Sequence, residues 1–119
     1  MKSVLFLQYP KCSTCRNAAK WLKNNNISVA DRDITLENPN EEELTRWIDM
    51  SGLPIAKFFN TSGKIYKERN LKDVVKTAPK EELIKLLATN GMLVKRPLIV
   101  ADDFVLVGFN ESEWTEKLK

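Results

Sequence analysis

Cys12 and Cys15 are the only cysteines in a chain of 119 residues, and they follow directly on a short apolar run. That placement limits the fold more than any other feature. Residues 2–8 read as a strand buried on both faces, and Tyr9-Pro10-Lys11 as a loop. Behind the loop, Cys15, Ala18, Ala19 and Leu22 recur at helical spacing through Lys23, with Ser13 or Thr14 as the cap. Asn24-Asn25-Asn26 ends this helix. Residues 27–34 read as a second strand, with Ile27, Val29 and Asp31 on one side. The chain therefore opens as strand, cysteine loop, helix, strand, a βαβ unit.

The next segment is helical. Asn40 followed by Glu41-Glu42-Glu43 is a helix start, with Asn40 as N-cap and Glu43 at the capping-box position. Leu44, Trp47 and Ile48 give that helix an apolar face, and Gly52 marks its end. Residues 54–59 form a short apolar helical segment, and residues 60–63 a turn. Residues 68–77 and 79–89 read as two further helices, the second closed by Asn90-Gly91. Residues 98–101 and 104–107 form an antiparallel hairpin through Asp102-Asp103. Gly108 breaks it, and Asn110 caps a last helix over residues 111–119 with Glu113 at its capping-box position. Trp21, Trp47 and Trp114 read as packing residues, and Phe58-Phe59 as core or a partly exposed rim. No repeat, linker or low-complexity segment interrupts the order.

Composition excludes several function classes. An apolar content of 43% with 29% charged residues is that of a globular chain. The net charge of +3 is spread among acids, so charge supports no direct nucleic-acid binding. No stretch reaches the length of a membrane span, and the start of the chain lacks the pattern of a secretion signal. A cytosolic location is expected, where a permanent structural disulfide is disfavoured. The chain has no histidine, so Ser-His and Cys-His nucleophile pairs are excluded.

Cys12-Ser13-Thr14-Cys15 at a strand-to-helix loop points to thiol–disulfide chemistry of the thioredoxin-like kind. The reactive species is the thiolate, and a helix N-terminus offers unpaired N–H groups and a positive dipole end. Cys12 in the loop is the candidate nucleophile. Cys15, one turn further in and more buried, is the candidate resolving thiol. Lys11 and Arg16 flank the pair and add positive field. Two other readings stay open: half of a zinc site completed by a second copy, and a pair of inert buried cysteines. Arg96-Pro97 before the hairpin is the second candidate element. Pro97 is either a cis proline facing the cysteine loop, whose backbone can hold an extended partner, or a trans proline at a strand edge. Arg96 either holds an anion near Cys12 and stabilises its thiolate, or is a solvated surface cation.

Three separated motifs carry a resemblance. They are Tyr9-Pro10-Lys11-Cys12-Ser13-Thr14-Cys15-Arg16-Asn17-Ala18, Lys95-Arg96-Pro97-Leu98-Ile99-Val100 and Val107-Gly108-Phe109-Asn110-Glu111-Ser112-Glu113. In this order they resemble the arsenate reductase family of the glutaredoxin-linked type, which includes the Spx regulators. The resemblance covers nearly the whole chain. It implies one α/β domain over residues 1–119, with a thioredoxin-like (glutaredoxin-like) mixed sheet and a helical insertion at about residues 40–90. It also implies a cis bond before Pro97. Cys12, Cys15 and Arg96 would be the catalytic set, with Lys11, Ser13, Thr14, Arg16 and Pro97 around the substrate.

Two functions follow from the resemblance. One is a thiol-disulfide oxidoreductase or reductase, monomeric, free of metal and organic cofactor, and supplied by thioredoxin, or by glutathione and glutaredoxin. The arsenate-reducing members hold their oxyanion with three arginines. Arg96 matches one, while residues 58–63 and the surroundings of Gly108 hold no arginine for the others. Those members also carry serine where this chain has Cys15. The alternative is an Spx-like redox-sensing regulator that binds the C-terminal domain of the RNA polymerase α subunit. Spx proteins carry the Cys-x-x-Cys pair, and Gly52 lies near the glycine of their polymerase interface. They also continue with a basic tail beyond the position of Lys119.

Overall fold

The computed structural model describes residues 4–119. Four strands form one mixed sheet. They are β1 (Leu5–Gln8), β2 (Ala30–Asp33), β3 (Leu98–Val100) and β4 (Val105–Val107), in the spatial order β2-β1-β3-β4. β1 runs parallel to β2 and antiparallel to β3, and β3 is antiparallel to β4. Helices α1 (Ser13–Asn24), α2 (Glu41–Ser51), α3 (Lys64–Glu68), α4 (Leu71–Thr77), α5 (Lys80–Thr89) and α6 (Glu111–Leu118) complete the fold. Short 3₁₀ turns lie at Ile55–Phe58 and Gly91–Leu93. The helical segment falls between β2 and β3, as expected for the insertion.

Register explains the packing. Phe6, Ile99 and Leu106 stand opposite one another across β1, β3 and β4. They face Ala18, Trp21 and Leu22 of α1 and Trp114 of α6. The next row, Leu7, Leu98 and Val107, points the other way, because strand side chains alternate. Leu7 and Leu98 join Leu44, Trp47 and Ile48 of α2 and Leu83, Ile84 and Leu87 of α5. β1 thus serves two cores, as its unbroken apolar run predicts. Each fully buried aromatic or branched side chain contributes about 1.5–3 kcal/mol. Phe58 and Phe59 both prove to be core residues.

Several elements differ from the sequence expectation. The first strand begins at Leu5, and the expected residues 2 and 3 lie outside the described ones. β2 starts at Ala30 rather than at Ile27. The Ile27 N–H folds back onto the Leu22 carbonyl at 3.0 Å, and Ile27 and Val29 pack with the α1 core instead. The helix expected over residues 68–77 is two helices, the first starting at Lys64. They break at Arg69 and Asn70, where Asn70 has φ of 52°. Asparagine tolerates that left-handed backbone better than most residues.

Two contacts hold the insertion to the sheet. Gly91 is buried so close to the end of β2 that a Cβ there would stand 1.8 Å from the Ile34 carbonyl oxygen, so only glycine fits. Arg32 of β2 grips Glu43 of α2 through two parallel bonds, Nη1 to Oε2 at 2.7 Å and Nη2 to Oε1 at 2.9 Å. Arg32 also donates from Nε to the Glu37 carbonyl at 2.8 Å. Asn40 and Glu43 close the expected capping box, with bonds of 2.8 and 3.2 Å.

The Arg32 guanidinium holds the Glu43 carboxyl below the usual carboxylate range, against a smaller opposing effect of burial. With 17% and 25% of the two side chains exposed, the pair is screened but not free in water. Glu43→Gln keeps the capping bond and removes the charge pair, so it should cost about 1–2 kcal/mol at neutral pH. The lowered folded value sets the sign. The contribution is complete above the ordinary glutamate range and is lost as pH falls through the folded value. Urea unfolding of both proteins across acidic pH should show the gap closing at the acid end.

Candidate active site

The end of β1 delivers the cysteine pair. The Cys12 N–H donates to the Tyr9 carbonyl at 2.9 Å, which closes the loop tightly. Cys12 has extended backbone, φ −84° and ψ 120°, and is itself the N-cap of α1. Its Sγ accepts from the Cys15 N–H at 3.4 Å. This corrects the expectation that Ser13 or Thr14 caps the helix. Those two residues already lie in the first turn and are exposed. No acidic side chain occupies that turn, so the positive end of the helix faces the Cys12 sulfur unneutralised.

The two thiols have opposite ionisation. Cys12 is half-buried, and that burial alone would raise its pKa. The Cys15 N–H and thiol, the Arg96 charge and the Thr14 N–H outweigh it, and the Cys12 thiol falls below the ordinary cysteine value. Cys15 is 1% exposed. Burial pushes its thiol up to about 12, and the neighbouring Cys12 adds to the rise, against a hydrogen bond from the Tyr9 backbone and the Arg96 charge. Cys12 is thus the more readily ionised of the two thiols, with Cys15 held protonated behind it.

Arg96 arrives from the start of the neighbouring strand, β3. The Leu7–Leu98 pairing of β1 with β3 sets Arg96-Pro97 beside the cysteine loop. The Arg96–Pro97 peptide bond is cis, and Pro97 is buried. Its carbonyl accepts from the Gly108 N–H at 2.8 Å. Gly108 has φ of +76°, a left-handed turn that leads Phe109 onto the rings of Trp21 and Trp114. The Trp114 Nε1–H donates to the Gly108 carbonyl at 3.1 Å. The third motif thereby braces the second.

Of the three cations expected around the pair, Arg96 is the one whose charge bears on both thiols. Lys11 and Arg16 stand exposed on the loop and the first turn. The Arg96 guanidinium carbon lies 5.1 Å from the centre of the Tyr9 ring. Its Nη1 reaches the Met92 carbonyl at a long 3.4 Å, and its buried Nε has no hydrogen-bond partner. An unpartnered buried guanidinium N–H beside a thiolate is a donor left for an anion or a reacting group. Tyr9 opens the first motif but carries no role in the sequence reading, although its ring seats Arg96 and its backbone touches both cysteines. Its position just before the cysteine motif was the available signal. Among the described residues no group of three or more Cys, Asp or Glu side chains is placed to hold a metal ion. No described helix is long and apolar enough to cross a membrane.

Comparison with known proteins agrees with this arrangement. The ArsC family model matches residues 7–117. A crystal structure of an ArsC family related protein from Bacteroides fragilis superposes with a TM-score of 0.95 at 60% identity, covering 98% of each chain. The uncharacterised YusI of Bacillus subtilis is 44% identical over 96% of this chain and 97% of its own. The global transcriptional regulator Spx of Enterococcus faecalis is 31% identical over 87% of this chain and 77% of its own. The mixed sheet with a helical insertion is a thioredoxin-like fold, and the match extends over nearly the whole sequence; the chain belongs to the ArsC family.

Proposed function

We propose that the protein is a thiol–disulfide oxidoreductase of a reducing compartment, with Cys12 as nucleophile and Cys15 as resolving thiol. The observation that carries this reading is the Cys12 sulfur at the N-cap of α1, 3.4 Å from the Cys15 N–H, with the Cys15 thiol buried one helical turn behind it. The Cys12 thiolate attacks one sulfur of a substrate disulfide. That S–S bond breaks, a mixed disulfide forms on Cys12, and the other half leaves as a thiolate that water protonates. Cys12 is then neutral, so one influence that keeps Cys15 protonated is gone, while Arg96 and the Tyr9 N–H still favour its anion. Cys15 gives up its proton, attacks the Cys12 sulfur and releases the second half. The substrate gains two electrons and the Cys12–Cys15 pair loses them. A dithiol protein such as thioredoxin, or two glutathione molecules with glutaredoxin, restores both thiols.

Arsenate is a poor fit as substrate. Of the three arginines that the resemblance assigns to oxyanion binding, Arg96 alone is present. A second reading, the redox-sensing regulator, rests on the similarity to Spx. Gly52 is exposed at the end of α2, and a Cβ there would meet nothing within 4 Å. An arginine at that point would block a partner and clash with no core side chain; it would strain the left-handed backbone, φ 68°, which asparagine tolerates better. Co-purification with the RNA polymerase α subunit, lost in Gly52→Arg and kept in Gly52→Asn, would favour the regulator.

Two tests address the enzyme reading. In turnover coupled to NADPH through thioredoxin reductase or glutathione reductase, Cys12→Ser should be inactive. Cys15→Ser should stall as a mixed disulfide visible by mass spectrometry, at least tenfold slower with the dithiol donor. Turnover by Cys12→Ser at the wild-type rate would sink the reading. The second test concerns Arg96. Tyr9→Leu removes the ring beneath the guanidinium and should slow alkylation of Cys12 at neutral pH about two- to fivefold, the loss of one cation–π contact. The rate should recover at higher pH, because the Cys12 thiol rises toward its ordinary value. Tyr9→Phe should behave as wild type, and Tyr9→Leu should add nothing to Arg96→Ala.

A further inference from the structure

Lys95, the residue before Arg96, lines a surface cleft of about 400 Å³. Leu53, Ala56, Phe59 and Val107 supply its apolar lining, and Lys57 and Lys95 its ammonium groups. The volume is that of a small-molecule pocket. Leu53 stays 41% exposed, one of three large hydrophobics left so open among the described residues. No acid lines the cleft, and among the described residues neither lysine enters an ion pair.

The backbone ties the cleft to the Arg96–Pro97 segment, whose guanidinium charge bears on both thiols. Lys95 is the neighbour of Arg96. Val107 pairs with Leu98, the residue after Pro97, and the Gly108 N–H binds the Pro97 carbonyl. The Lys95 Cε passes 3.4 Å from where a Cβ on Gly108 would stand, so the lysine side chain runs across that turn. The Lys95 N–H donates to the Phe58 carbonyl at 2.7 Å, and the Asn60 N–H to the Leu93 carbonyl at 2.8 Å. These bonds tie the two walls together, so the cleft is preformed.

We propose that this cleft is the specificity pocket of the Cys12 centre, and that it takes the apolar body of an organic disulfide carrying a carboxylate. The inference rests on the thiol–disulfide reading and names its substrate class. A small inorganic oxyanion would leave its hydration shell against the apolar lining. An ammonium group is a compact point charge suited to one carboxylate, unlike the forked guanidinium. An aromatic or aliphatic acid satisfies both parts of the lining. The reaction is the exchange described above: Cys12 takes one half of the disulfide, the other half leaves as a thiolate, and Cys15 releases the retained half.

The test uses the reduced full chain and three disulfides: dithiobis(nitrobenzoate), aromatic with a carboxylate on each ring; dithiodipyridine, aromatic and uncharged; and cystamine, aliphatic and cationic. Each rate is measured by stopped flow and divided by that of free cysteine. Lys57→Glu and Lys95→Glu should each slow the dicarboxylate about threefold to tenfold relative to dithiodipyridine, the effect of reversing one rim charge. Leu53→Asn, a neutral polar change in the apolar lining, should slow both aromatic reagents and leave cystamine unchanged. Lys57→Gln and Lys95→Gln, milder changes at the same positions, should fall between. Lys76→Glu on α4, outside the cleft, controls for net charge. Equal effects on all three reagents, or none, would overturn the pocket while Cys12 still reacts. A wild-type Cys12 no faster than free cysteine with every reagent would overturn the thiol–disulfide reading and the pocket together.

Discussion

β1 must be buried on both faces, and most of the molecule follows from that constraint. Phe6 and Leu7 point in opposite directions into separate cores. A slip of one residue would exchange them and place each against the wrong helices, so the register is strongly specified. The Leu7–Leu98 pairing then has a chemical consequence. It sets the loop after β1 beside the turn before β3, which is how Arg96 comes to act on Cys12. The site is assembled by strand pairing, and the energy that holds it is that of the two cores.

Within the site one local choice divides the labour between the thiols. Both cysteines lose solvent, and burial works against either thiolate. Cys12 overcomes it because its sulfur occupies the place of a capping oxygen and collects N–H groups that the helix leaves unpaired. Cys15 sits inside the first turn, where its own N–H is spent on Cys12 and its side chain faces the interior. Exchanging Cys12 for a better cap such as serine would preserve the helix and abolish the chemistry. The first motif is therefore a capping motif as well as a pair of cysteines.

Features set by nearest neighbours in sequence were legible. The βαβ opening, the Asn40–Glu43 capping box, the hairpin and the placement of the two cysteines, Cys12 in the loop and Cys15 buried one turn further in, rest on short spacings. What escaped depends on distant partners. The Ser13 and Thr14 hydroxyls are better caps by propensity, yet the loop closure at Tyr9 fixes Cys12 as the last extended residue. The break at Asn70 needs a left-handed residue that nothing in the apolar spacing announces. Tyr9 read as a loop residue because its partner, Arg96, lies on a different strand connection. Lys11 and Arg16 were given weight for their proximity in sequence, while the stronger field comes from across the sheet.

The same division explains why family membership leaves the substrate open. The thiols, Arg96 and Pro97 are carried by the sheet and by the first turn of α1, parts pinned by both cores. The cleft beside them draws Leu53, Ala56, Lys57 and Phe59 from the helical insertion, and Lys95 and Val107 from the sheet margin. Phe59 is fixed in the core, but Leu53, Ala56 and Lys57 on that wall are exposed, so they can change without disturbing the thiol pair. A chain can therefore keep the thiol pair and Arg96 while the side chains that line the cleft change around them. Reactivity is set where the fold is most constrained, and selectivity where it is least constrained.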